Sequence, residues 1–118
     1  MEVVGPGPSR QLRGALFEYR GPNDPGRIHQ LFSGQNKLGR SPDRDVVISD
    51  DPKVSLEHGF LMLTGDQARF MDTSTNGSFV DGVAVHTESA VLSPGSVLQL
   101  GDVRLVFVMV PSSALGGR

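Results

Sequence analysis

The run Val103-Arg104-Leu105-Val106-Phe107-Val108-Met109-Val110 decides the fold class of this chain. With the two-residue period of an extended chain, Val103, Leu105, Phe107 and Met109 fall on one face and Arg104, Val106, Val108 and Val110 on the other. A helix would space its apolar residues at i, i+3, i+4 and i+7, and no part of the chain sustains that spacing. Apolar side chains on nearly both faces mark this run as a central strand.

Working outward, Val97 to Leu100 is a second apolar run, set off from the first by Gly101-Asp102 and preceded by the turn residues Ser93-Pro94-Gly95. Asp81-Gly82 separates two very short runs, Ser78 to Val80 and Val83 to Val85, as a hairpin turn does. Further toward the N-terminus, Thr64-Gly65-Asp66 joins Gly59 to Thr64 with Ala68 to Asp72, and earlier runs cover Gly14 to Tyr19, Ile28 to Phe32, Lys37 to Arg40 and Val46 to Ile48. Ten short strands with tight turns between them predict an all-β, two-sheet antiparallel sandwich.

Size and composition fit one such domain. The chain has 118 residues, 37% hydrophobic and 20% charged, enough for one modest core. Residues 1–11 and 111–118 are rich in Gly, Pro and Ser and carry no periodic apolar face, so the expected domain is 12–110 between flexible tails. A net charge of -2 without a Lys/Arg run offers no phosphate-tracking stripe, so nucleic acid is not an expected partner. The absence of cysteine excludes disulfides, thiolate zinc sites and cysteine nucleophiles, and fits a reducing compartment. No stretch approaches the roughly 20 apolar residues of a membrane span, and Gly5-Pro6-Gly7-Pro8 is no secretory signal, so an intracellular location, cytoplasmic or nuclear, is expected.

Candidate chemistry gathers at strand ends: Gly39-Arg40, Ser55 with His58, Thr75-Asn76-Gly77, and Gly101-Asp102. Arg40 can offer forked donors to a phosphate, or pair on the surface with Asp43 or Asp45. Ser55 can donate its hydroxyl to a phosphate oxygen, or bond its own loop. Thr75-Asn76-Gly77 reads as a tight turn with an amide free for a peptide backbone, or as turn chemistry alone. His29, His58 and His86 are too dispersed for a metal site, the aspartates lack the calcium-loop pattern, and no glycine-rich nucleotide loop is present, so no metal or cofactor is expected.

The order and spacing of these signals resemble the forkhead-associated domain family. Leu38-Gly39-Arg40-Ser41-Pro42-Asp43-Arg44-Asp45-Val46-Val47-Ile48 is similar to its Gly-Arg strand and following loop, Ser55-Leu56-Glu57-His58 to its Ser-x-x-His, and Asp72 to Gly82 to its Asn-Gly turn and short hairpin. Leu92 to Asp102 is similar to the closing section. The resemblance implies an eleven-stranded sandwich, one strand more than the ten read here, with the missing strand near Ala90 to Leu92. It also implies a non-enzymatic interaction module whose apical loops bind a phosphothreonine-containing protein or peptide, such as a Ser/Thr kinase or its substrate. Arg40 and Ser55 would hold the phosphate, Thr75 would support it and Asn76 would bond the ligand backbone, while Gly39, His58 and Gly77 shape the loops. Lys53 would read an acidic ligand residue, or stand as a solvated lysine.

Leu56 stands where the family often has a polar or basic residue that touches the ligand, leaving the pocket one donor short. That departure favours the alternative, a forkhead-associated scaffold that binds an unphosphorylated partner through a sheet face or strand edge. Ser55 and His58 as nucleophile and base is the enzymatic reading, and no orienting group or oxyanion motif accompanies them in sequence.

Overall fold

The computed structural model describes residues 10–116. Eleven strands run in order as β1 (Leu12–Tyr19), β2 (Arg27–Phe32), β3 (Gly34–Gly39), β4 (Val46–Val47), β5 (Gly59–Thr64), β6 (Gln67–Asp72), β7 (Ser78–Val80), β8 (Val83–Val85), β9 (Ser89–Leu92), β10 (Val97–Leu100) and β11 (Val103–Met109). They form a six-stranded sheet in the order β2-β1-β11-β10-β7-β8 and a five-stranded sheet in the order β4-β3-β5-β6-β9. Ladders are antiparallel except the short β3–β4 pairing, which is parallel.

The deciding run behaves as its alternation requires. β11 lies between β1 and β10, with Val103, Leu105 and Phe107 buried between the sheets. Its other face is the outer surface of the six-stranded sheet, where Val108 is exposed. Leu16, Leu31, Leu61, Phe70 and Leu98 complete the centre of the core, all fully buried. Each such side chain contributes about 1.5–3 kcal/mol of transfer free energy.

Turn chemistry accounts for the hairpins. Asp81 and Gly82, at φ 50° and 83°, form the two-residue β7–β8 connection with both residues left-handed, the geometry that matches strand twist. Asp81 also accepts the Val97 amide at 2.8 Å, fixing the hairpin to β10.

Two strands differ from the sequence expectation by more than two residues. β3 begins at Gly34, not Lys37, because Asn36 points inward: its side chain bonds the Phe32 amide at 2.9 Å and the Phe32 and Leu61 carbonyls at 2.8 and 3.2 Å. A buried, satisfied amide continues a strand that its polarity disguised. The eleventh strand, β9, lies where the family resemblance put it. It is a sheet edge paired only with β6, and Leu92 is its one buried residue, so it carries too little alternation to be read.

Both ends of the described chain are tied to the sandwich. Arg10, expected in a flexible segment, donates to the Ser33 and Gln35 carbonyls at 2.8 and 2.6 Å. Beyond β11, Ser112–Leu115 forms a 3-10 turn in place of the expected flexible tail, held by Ser112 on the Asp66 carboxylate at 2.6 and 2.7 Å. Residues 1–9 and 117–118, the remainder of the two expected tails, lie outside the described residues. Gly14 is opposite Met109 and Tyr19 opposite Arg104, so the start of β1 and the end of β11 share one pole and the Gly101-Asp102 turn occupies the other. Arg13 bridges at the first pole, donating to Val110 O at 2.7 Å and Gly65 O at 2.9 Å. No helix among the described residues is long and apolar enough to cross a membrane.

Candidate functional site

Four connections meet at the pole that carries the Gly101-Asp102 turn: those after β3, before β5, after β6 and between β10 and β11. Their closeness begins with Gly39. A Cβ there would overlap the Leu56 carbonyl oxygen, so only glycine lets the β4–β5 loop lie against the end of β3. Backbone bonds then stitch loop to strand: Arg40 N to Ser55 O at 2.9 Å, Ser41 N to Leu56 O at 3.2 Å, and His58 N to Leu38 O at 2.9 Å. Arg40 and Ser55, fifteen positions apart in sequence, are neighbours in space.

Arg40 uses Nε on the Val54 carbonyl at 2.9 Å, an anchor that orients the guanidinium. Its two terminal nitrogens have no protein partner among the described residues, and the alternative pairing with Asp43 or Asp45 is absent there. Asp43 takes Ser41 and Arg44 instead, and Asp45 takes the Lys37 amide. Ser55 Oγ accepts the Thr75 amide at 3.0 Å, which joins the second loop to the first and leaves the hydroxyl proton free to donate. The Asn76 amide nitrogen donates to Lys53 O at 3.3 Å. Arg40, Ser55, Lys53, Thr75 and Asn76 thus form one connected surface, with Thr75 and Asn76 exposed at its rim.

His58 is fully buried beneath them. Its Nδ1 accepts the Ser55 amide at 3.0 Å, so the ring proton sits on Nε2, facing Ser78 Oγ at 3.0 Å and Gly77 O at 3.2 Å. Burial pushes the imidazole pKa below its ordinary value, opposed by the charge of Asp72. Ser55 and His58 are not paired as nucleophile and base, because His58 meets the backbone amide of Ser55 and the serine hydroxyl oxygen meets the Thr75 amide. Gly77 stands at φ 87°, a conformation glycine adopts without strain, and its closing of the turn brings it against His86.

Lys53 pairs with both oxygens of Asp102 at 3.2 and 3.0 Å, so it is engaged within the chain, while remaining exposed. Leu56, next to Ser55 on the same loop, is 54% exposed and presents an apolar side chain to solvent. A pocket of ≈ 400 Å³ opens between Lys53, Asn76, Phe79 and Asp102.

Sequence reasoning missed Asp51, Asp72, Ser74 and Ser78. Asp51 does not face the pocket: it is buried and accepts the Lys53 and Asp102 amides, both at 2.9 Å, pinning the β10–β11 turn to the β4–β5 loop. The Asp102 amide bond is the largest influence holding its carboxyl below the usual range, against burial. Asp72 is buried too. Burial works against its charge, and bonds from the Ser78 hydroxyl, the Thr87 amide and Ser74 outweigh it and lower the pKa. The available signal was the Asp72-Thr73-Ser74 sequence, an Asx-type pattern immediately before a turn. Among the described residues no group of His, Cys, Asp or Glu is placed to hold a metal ion.

A half-buried arginine whose two terminal nitrogens have no partner among the described residues, a serine hydroxyl and neighbouring amide and hydroxyl groups are the donors that a phosphate monoester requires. Comparisons with known proteins bear on the family to which the chain belongs. Residues 19–110 match the family model described as the inner membrane component of the type III secretion system, cytoplasmic domain, which is forkhead-associated-like. The chain is 39% identical over 99 residues to the glycogen accumulation regulator GarA of Mycolicibacterium smegmatis, covering 83% of this chain and 60% of that protein. It is also 39% identical over 94 residues to the oxoglutarate dehydrogenase inhibitor of Corynebacterium jeikeium, covering 79% of this chain and 62% of the inhibitor. The chain therefore spans about three fifths of the length of these relatives. A solved domain from a study of phosphothreonine-dependent FHA domain interactions superposes with a TM-score of 0.73 at 30% identity, covering 84% of this chain and 98% of that one. Matched over most of its length by that family model and over nearly the whole of a solved forkhead-associated domain, the chain belongs to the forkhead-associated domain family.

Proposed function

We propose that this domain binds phosphothreonine-containing segments of partner proteins, inside the cell, as a non-enzymatic module in kinase-dependent regulation. The observation that carries the reading is Arg40: its guanidinium is braced by Nε on Val54 O, its terminal nitrogens are free among the described residues, and Ser55 lies beside it on the adjoining loop. A phosphothreonine brings about -1.5 to -2 charges and three acceptor oxygens, which this donor set can satisfy. Thr75 adds a hydroxyl, and Asn76 can turn its amide from Lys53 O to the ligand backbone. Relatives named as a glycogen accumulation regulator and an oxoglutarate dehydrogenase inhibitor support a partner class that includes metabolic enzymes.

The test is a titration with a phosphothreonine peptide library beside its unphosphorylated twin. Saturable binding of the phosphorylated library alone, lost in Arg40→Ala, is the expected result.

A second reading has its own observation. The outward face of the six-stranded sheet displays Ile28, Val108 and Phe79, exposed by 59%, 43% and 44%, and Leu56 adds apolar surface at the apex. Such surface suits a protein partner that needs no phosphate. Equal binding of both libraries selects this reading over the first.

A further inference from the structure

Behind the apical loops lies a buried polar chain whose direction is fixed by one residue. Asp72 is 1% exposed and, as a carboxylate, can only accept. Its Oδ1 receives the hydroxyls of Ser74 at 2.7 Å and Ser78 at 2.6 Å, and its Oδ2 receives the amides of Ser74 at 3.2 Å and Thr87 at 2.9 Å. Both serine protons are therefore committed to Asp72, and both serine lone pairs face the other way.

The two branches then diverge. Ser74 Oγ accepts the Gly77 amide at 2.8 Å, closing the turn whose outer tip is Thr75 and Asn76. Ser78 Oγ accepts from His58 Nε2 at 3.0 Å, which leaves His58 Nδ1 as the acceptor for the Ser55 amide at 3.0 Å. The last contact closes the circuit, because Ser55 Oγ accepts the Thr75 amide. Asp72 thus stands at the root of both walls of the proposed pocket without touching its surface.

We propose that Asp72 is a positioning residue for phosphopeptide binding, orienting Thr75 and Asn76 through Ser74 and Ser55 through Ser78 and His58. This rests on the phosphothreonine reading of the site. The chain depends on Asp72 being an acceptor at every contact, so an isosteric amide is enough to disturb it. In Asp72→Asn the side-chain NH2 replaces one acceptor oxygen, and at least one of the groups that donate to Asp72 is then met by another donor. Asp72 and Asp51 are the anions that act on His58, so removing the nearer charge also lowers the pKa of the imidazole further.

The experiment compares the wild-type domain with Asp72→Asn, Ser74→Ala and Ser78→Ala, each checked for folding by its amide NMR spectrum. Three quantities are read: affinity for a phosphothreonine peptide by fluorescence anisotropy, imidazole nitrogen shifts of His58, and hydrogen exchange of the Gly77 amide. Asp72→Asn is expected to weaken the peptide at least tenfold and to change the His58 shifts. Ser74→Ala is expected to speed Gly77 exchange and weaken the peptide while leaving the His58 shifts in place, and Ser78→Ala to move the His58 shifts. A folded Asp72→Asn with wild-type His58 shifts and affinity within twofold of wild type overturns the proposal. If Asp72→Asn does not fold, unchanged affinity in both serine variants overturns it. A wild-type domain that binds no phosphothreonine peptide overturns the functional reading instead, and the His58 shifts and Gly77 exchange still judge the hydrogen-bond chain.

Discussion

Replacing Arg40 with alanine separates the energetic role of its guanidinium from its role in the fold. In the free domain the side chain makes one protein bond, Nε to Val54 O. Losing it costs about 0.5–1.5 kcal/mol of stability, a fall of a few degrees in Tm for a domain of this size. In the complex the two terminal nitrogens are expected to make two charge-assisted bonds to phosphate, each worth about 1.5–3 kcal/mol. Taking the lower figure because the site is open to water, the loss is about 3 kcal/mol, or roughly a hundredfold in Kd. Arg40→Lys keeps the charge but loses the fork and the Val54 anchor, so its affinity should fall between the two. Fluorescence anisotropy with a labelled phosphothreonine peptide at low and high salt gives the numbers. Wild-type binding should weaken as salt rises, and the alanine variant should show a shallower dependence. An alanine variant that binds within twofold of wild type, with the same salt dependence, would refute the assignment of Arg40 to the phosphate.

Four other outcomes follow from the geometry. Gly39→Ala forces a Cβ into the Leu56 carbonyl, so it should destabilise the domain by about 1–3 kcal/mol in urea unfolding and weaken phosphopeptide binding more than its stability loss explains. Arg13→Ala removes the bonds to Gly65 O, Val110 O and Asp66 at the far pole, and should cost about 2–3 kcal/mol while leaving phosphopeptide affinity unchanged by titration. Because burial lowers the His58 pKa in the folded state, the unfolded chain takes up the proton first. Stability is therefore fully present well above the unfolded value of about 6.5 and falls as pH drops through it toward the folded value, by about 1.4 kcal/mol per pH unit at most, a slope that His58→Asn should flatten in urea midpoints. Asp102→Asn frees Lys53 from its exposed ion pair, so affinity should rise for phosphopeptides carrying an acidic residue beyond the phosphothreonine and the urea midpoint should hardly move.

What could be read from the sequence was set by periodicity and by local turn chemistry. Val103 to Val110 alternates through a long, centrally placed strand, and its position between β1 and β10 follows from that pattern. Asp81-Gly82 announces a hairpin because only such residues accept left-handed φ at both central positions. β9 escaped the alternation because an edge strand with one buried residue has no apolar face to display. Asn36 hid the start of β3, since its bonds to Phe32 and Leu61 are long-range or conformational facts that composition does not carry.

The candidate site divides in the same way. Arg40, Ser55, Thr75 and Asn76 were legible as an ordered set resembling a family, and the structure brings them to one surface. Lys53 was legible as a cation, but its partner Asp102 is 49 positions away and became visible only in three dimensions. Asp51 was legible only as one of several aspartates without a calcium-loop pattern, and Asp72 only as the end of one apolar run and the start of the segment that holds the Asn-Gly turn. Their roles come from burial and from the amides and hydroxyls they collect; beyond the Asx-type pattern at Asp72-Thr73-Ser74, the contacts to Ser78 and Thr87 and from Asp51 to Asp102 have no sequence signature.

The Arg13 bridge between the start of β1 and the end of β11 has a practical consequence for how the domain can be handled. A host polypeptide can enter and leave at a single point, as a stalk carries a flower, with the recognition loops turned outward from whatever the stalk is rooted in. Anchoring the domain to a biosensor chip or a carrier protein through either terminus should therefore leave its reading face unobstructed. Splicing it into an exposed loop of another protein should need only a short spacer on each side.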